Sequence, residues 1–279
     1  MAQPWPVNLA PNHPDLDTQT IRSYYRQCQK CWKRKADGVK LMVCSKCKIA
    51  SYCVSRVYSI SSNVCYNHCW SFLQSLECQK ADWNFHKQAC NTNQRHRELM
   101  AEEDALERLA RHMKGETDIR PTNTEVNEEM GEFLRRFRPI ICQASYRCLE
   151  VQKGASDAWK KYVFIVRIER IPKSSKKSKP WSRYKVVDAY KESIDEIKAS
   201  YGHQIAPTLE QGEVYHKENV GVGCVGTIMT FLRCSSTGND IQLISWAGYG
   251  ENAWDDDALV PNWEEELIRS VEKICGRIS

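Results

Sequence analysis

Apolar positions change period along this chain. "NTNQRHRELMAEEDALERLARHMK" (91–114) is polar with Leu99, Leu106 and Leu109 at spacings that fit one side of a helix. "GETDIRPTNT" then breaks the pattern with Gly115 and Pro121. A second helix is expected over 125–137, interrupted at Pro139 and resuming to about 152. Beyond it the runs are short, β-branched and aromatic. "YVFIVRIERI" (162–171), "RYKVVDAY" (183–190), "GTIMTFLRC" (226–234) and "IQLISWAGY" (241–249) read as strands. The polar "STGND" (236–240) turns between the last two. "NWEEELIRSVEKIC" (262–275) starts on an Asn cap and continues as an amphipathic helix. Helices, a meander of strands and a closing helix define an α+β chain: a mostly antiparallel sheet domain with a C-terminal helix over 153–279.

Upstream of residue 91 neither period holds. Residues 1–20 carry Pro4, Pro6, Pro11 and Pro14 and read as a mobile tail. Residues 21–90 hold nine of the chain's 14 cysteines, and 91–152 form a helical linker from there to the sheet domain. Hydrophobic residues make up 42% of the 279, enough for a packed core, and the net charge of +5 is too small to argue for nucleic acid. The N-terminus lacks a basic region followed by an apolar run, so no signal peptide is expected. No run of about 18 apolar residues suggests a membrane span or a membrane partner. Cysteines clustered in close pairs, without a secretion signal, point to metal in a reducing, intracellular compartment, nucleus or cytoplasm.

The spacings carry the metal argument. Cys28-x2-Cys31 and Cys44-x2-Cys47 let both thiolates of a pair reach one tetrahedral ion across a tight turn. Cys53 follows. His86-x3-Cys90 puts an imidazole and a thiolate one helical turn apart, and Cys78 lies two turns before His86 on a similar face. Seven cysteines and one histidine suffice for two closed four-ligand sites. Closed sites are structural, because catalysis at zinc needs an open position.

"CQKC…LMVCSKCKIASYC…CQKADWNFHKQAC" resembles a MYND zinc finger over residues 28–90, with Leu41, Tyr52, Gln79, Asp82, Trp83 and Lys87 matching besides the ligands. The resemblance implies two zinc ions in an interleaved pattern. By position, one ion takes Cys28, Cys31, Cys53 and Cys78, and the other takes Cys44, Cys47, His86 and Cys90. The family places three residues between its Tyr-Cys and Cys-Gln; here 24 intervene. Removing residues 54–74 restores the spacing and leaves Ser75 to cap the final helix. That insertion, "VSRVYSISSNVCYNHCWSFLQ", begins with Val-Ser and ends with Gln, which splice-site codons can encode. It reads as a retained intron, the alternative being a genuine surface loop. Genomic DNA lacking those codons excludes the intron. The longer loop costs about 2 kcal/mol of closure entropy, against roughly 10–16 kcal/mol from a structural zinc ion. Cys65-x3-Cys69, beside His68, mimics the missing spacing and is a competing ligand pair. Cys53 and Cys78 are preferred because Gln79, Asp82 and Trp83 belong to the helix of His86 and Cys90.

Gln79 and Trp83 lie at i and i+4 and stand together. A flat ring beside an amide suits an extended proline-rich peptide, and the resemblance places a peptide groove at these positions. A competing expectation is that Trp83 only fills the finger's small core. The function expected is a zinc-built protein-interaction module, acting as a transcriptional or signalling adaptor. The enzymatic alternative is a protein lysine methyltransferase of the SET class, some of which carry this finger. It lacks support here, because no Asn-His-Ser-Cys segment and no catalytic tyrosine near the end is found, and no enzyme is expected. A nucleic-acid-binding regulator would show steep salt dependence.

Other signals reduce to structure. "GVGCVG" (221–226) matches G-x-G-x-x-G, but a strand follows it where a dinucleotide site needs a helix. "KSSKKSKPWSRYK" (173–185) reads as a solvated basic loop. Asp255, Asp256 and Asp257 read as a loop feeding the last helix, although their oxygens suit a hard cation. Cys142, Cys148, Cys224, Cys234 and Cys275 sit in or near apolar runs and read as buried thiols.

Overall fold

The computed structural model describes residues 28, 30, 38–47, 50–54, 75–116, 120–151, 157–172, 179–221, 224–235, 241–249 and 262–278. The expected tail (1–20), Cys31, residues 55–74 of the insertion with Cys65, His68 and Cys69, most of the basic loop, the turn at 236–240 and Asp255–Asp257 lie outside these. The described residues divide into two compact units, one ending at Thr124 and the other starting at Glu125.

The first unit holds a hairpin and a long helix. Strands β1 (Lys40–Val43) and β2 (Ser51–Val54) pair antiparallel, with Leu41 opposite Cys53. Helix α1 runs without interruption from Ser75 to Met113, 39 residues and about 58 Å at 1.5 Å per residue. Finger helix and helical segment are thus one element. Tyr52 and the cysteines form a small core against which Val39, Leu41 and Trp83 pack.

Helix α2 (Asn123–Cys148) begins at the last two residues of the first unit, and from Glu125 on it lays a continuous apolar stripe on the sheet of the second: Val126, Met130, Phe133, Phe137, Ile141, Ala144 and Cys148 are all buried. The expected interruption at Pro139 is absent. Proline removes one backbone donor and crowds the preceding turn, but the buried stripe continues on both sides and holds the helix through it. Helix α2 ends at Cys148, not near 152, with Glu150 in the left-handed region (φ 51°). The short α3 (Ala158–Lys161) leads into β3 (Tyr162–Arg170), followed by β4 (Tyr184–Ser193), β5 (Gly226–Cys234) and β6 (Ile241–Tyr249).

The strand order is β4-β3-β5-β6, with β3–β4 and β5–β6 antiparallel and β3–β5 parallel. A simple meander would place β5 beside β4. It does not, because residues 194–225 carry the chain back across the sheet. Helices in that segment, α4 (Ile194–Tyr201) and α5 (Ala206–Gly221), were not apparent from the periodicity. Phe164, Val166, Ile168, Ile228 and Leu232 face α2 and the C-terminal α6 (Trp263–Ile274). Val163, Ile165, Met229 and Phe231 face Ile197 and Ile205 on the other side. The α+β reading therefore stands: a mostly antiparallel sheet, here covered on both faces, with a C-terminal helix. Central β5 is buried at nearly every position, as a strand covered on both faces must be.

Side chains from the covering helices bond to part of each edge of the sheet. Arg138 and Tyr146 of α2 donate to the carbonyls of Trp246 (2.9 Å) and Gly248 (3.3 Å) on β6, and Glu264 of α6 accepts the Ala189 N–H of β4 (3.1 Å). These bonds occupy polar groups that an open edge would offer to other strands. Among the described residues no helix is long and apolar enough to cross a membrane.

Candidate metal centre

The hairpin and the start of α1 bring the donor atoms together. Cys44 and Cys47 sit in the turn after β1, and His86 and Cys90 one helical turn apart on α1. All four are buried, and their donor atoms lie within 4.8 Å of one another. Cys28, Cys53 and Cys78 form a second group under the same limit, with Cys53 near the end of β2 and Cys78 in the first turn of α1. Cys31, expected with this second group, is outside the described residues.

The separations can be tested against metal geometry. Zn–S bonds of about 2.3 Å at tetrahedral angles put sulfurs about 3.8 Å apart, and a sulfur and an imidazole nitrogen about 3.6 Å apart. Cys44 Sγ and Cys90 Sγ are 3.8 Å apart, Cys47 Sγ and His86 Nε2 3.6 Å, and Cys53 Sγ and Cys78 Sγ 3.5 Å. A disulfide requires about 2.05 Å, and none of these cysteines is in one. Sulfurs and an imidazole so spaced fit a zinc ion.

Local electrostatics favour ligation at Cys44 and His86 and oppose it at Cys90. Burial pushes the Cys44 thiol up, but backbone N–H groups of Cys47 and Lys46 point at its sulfur and hold it below the usual thiol range. Burial and the nearby Cys47 thiol push Cys90 up to about 12, so a metal must displace its proton. Burial lowers His86, keeping the neutral imidazole that can ligate.

A lock not foreseen from the sequence holds hairpin to helix. Tyr52, adjacent to Cys53, donates its hydroxyl to Asp82 Oδ2 at 2.8 Å, and both residues are buried. The His86 ring lies edge-on to Tyr52, with centroids 5.8 Å apart. Both residues matched the family pattern without an assigned role. Their spacing of 30 residues, across the insertion, hides the pairing from any local reading.

Gln79 and Trp83 occupy one side of the first turns of α1, each half-buried. Gln79 Nε2 reaches Cys44 Sγ at 4.0 Å. Trp83 packs on the cysteine core, its ring 6.2 Å from that of His86, and retains an exposed part. Trp83 thus contributes to the small core and is only partly covered by it.

No family model, curated protein or solved structure matches this chain.

Proposed function

We propose that residues 28–90 form a two-zinc finger of the MYND type that presents a protein-recognition face. The supporting observation is the division of the donors. They separate into Cys44/Cys47/His86/Cys90 and Cys28/Cys53/Cys78, the interleaved assignment that the resemblance implies. Cys31 completes the second set. Zinc bound by four protein ligands supplies shape alone, because no position is left for a substrate. The chain then acts as an adaptor in a reducing compartment, nucleus or cytoplasm, where its thiols persist.

The face is Gln79 with Trp83, and the partner is a protein carrying a proline-rich segment. An exposed indole part offers a flat surface to pyrrolidine rings. The Gln79 amide bonds a peptide carbonyl with the hydrogen not directed at Cys44. Titration calorimetry of the zinc-loaded chain with a ten-residue Pro-x-x-Pro peptide tests this. Binding is expected, and Trp83→Ala weakens it at least tenfold while both zinc ions remain. Unchanged affinity in Trp83→Ala, or no binding by the loaded chain, contradicts the peptide reading but not the zinc reading.

A further inference from the structure

The donors and the Tyr52–Asp82 bond follow one order. Along α1, Cys78, Asp82, His86 and Cys90 recur every four residues, about 6 Å or one turn apart. Along the hairpin their partners run the opposite way. Cys53 meets Cys78 (3.5 Å), Tyr52 meets Asp82 (2.8 Å), Cys47 meets His86 (3.6 Å) and Cys44 meets Cys90 (3.8 Å). The first of these four rungs belongs to the Cys28/Cys53/Cys78 group and the last two to the other. The second rung is made of residues outside both groups, and it stands between them.

Each side of this ladder is held by backbone hydrogen bonds. β1 and β2 pair along their length, and the Cys44 N–H extends the pairing to the Ala50 carbonyl at 2.7 Å. Cys44 is thereby fixed relative to Tyr52 and Cys53. On the other side, α1 fixes Cys78 relative to His86 and Cys90. Closing one donor group joins hairpin and helix at one end, and the second closure becomes intramolecular. The joint alone still lets the two pieces swing. The Tyr52–Asp82 bond opposes that swing from a point about one turn from Cys78 and from His86, with the Tyr52 ring edge-on to the His86 ring at 5.8 Å between centroids. Both residues are buried. A buried hydroxyl or carboxylate without its partner is costly, so the bond forms as hairpin and helix dock and keeps the remaining donors in register.

We infer that Tyr52 and Asp82 are positioning residues that couple the two zinc sites, so that loading either one favours loading of the other. The inference rests on the two-zinc reading. The test is a zinc titration of the full chain followed by native mass spectrometry. At half-saturation, two independent and equal sites leave about half of the chains with one ion, whereas tenfold coupling leaves about a quarter. About a quarter or less is expected for the wild type. Tyr52→Phe, which removes only the hydroxyl, should raise the fraction to half or more, and Asp82→Ala should match it. Asp82→Asn, which still offers an oxygen to the hydroxyl, should keep the wild-type fraction. Two ions in every variant at excess zinc show that the fingers still form. A wild-type fraction of half or more overturns the coupling and leaves the two-zinc reading standing. Tyr52→Phe at the wild-type fraction also overturns it, as do Asp82→Asn and Asp82→Ala that behave alike. Fewer than two ions on the wild type at excess zinc overturns both.

Discussion

At Gly226 the absence of a side chain is a packing requirement. A Cβ there would lie 2.4 Å from the Tyr249 hydroxyl and 2.6–2.7 Å from its ring, closer than atoms can approach. This glycine ends the "GVGCVG" segment, and it seats the Tyr249 side chain on the first residue of β5. Gly226→Ala is expected to destabilise the sheet unit by about 1–3 kcal/mol through overpacking. A denaturant midpoint equal to the wild type would contradict that account. Single residues also explain what the spacing of the cysteines could and could not reveal. His86 and Cys90 were legible as ligands because a helix puts i and i+4 on one face. The Tyr52–Asp82 bond was not, because it is a tertiary contact across 30 residues.

At the level of elements, Asp104 meets the last two residues of its own unit, Asn123 and Thr124. Its carboxylate accepts the backbone N–H groups of Asn123 (2.8 Å) and Thr124 (2.9 Å), donors that the start of α2 would otherwise leave unmet. Burial pushes this carboxyl up, but the bonds from Thr124 and Asn123 outweigh it and hold the group below the ordinary carboxylate range. A depressed carboxyl stabilises the fold at all pH values above its unfolded value, and the contribution fades as pH falls through the folded one. Asp104→Ala should therefore speed amide exchange at Asn123 and Thr124 about tenfold at pH 7, the effect of roughly 1.4 kcal/mol. The wild type should approach the variant only below about pH 4. An equal exchange rate at pH 7 would show that the cap contributes nothing.

The strands and α6 were readable from β-branched runs and an amphipathic stripe. Helix α4 was readable too, in principle: Ser193 and Glu196 form a capping box, with the Ser193 hydroxyl accepting the Glu196 N–H at 3.1 Å and Glu196 accepting the Ser193 N–H at 2.8 Å. The Ser-x-x-Glu spacing stands in the sequence. Pro139 misled for the opposite reason. Its local penalty is real, but burial of Phe133, Phe137 and Ile141 outweighs it. Strand order was not readable, because it depends on where residues 194–225 carry the chain.

For the molecule as a whole, the question is how Cys53 and Cys78 meet when 24 residues separate them. The ends of the insertion are held on both sides of it, by β2 pairing with β1 and by the Tyr52–Asp82 bond to α1. These contacts set the two sulfurs 3.5 Å apart without reference to the loop between them. The closure entropy of about 2 kcal/mol is small beside a zinc ion's contribution of roughly 10–16 kcal/mol. The most direct measurement is zinc stoichiometry by native mass spectrometry, on the full chain and on a form lacking residues 54–74. Two ions in both forms is the predicted result, with one lost on His86→Ala. Fewer ions in the full chain than in the shortened one would contradict the account, because the insertion would then divert ligands from the finger.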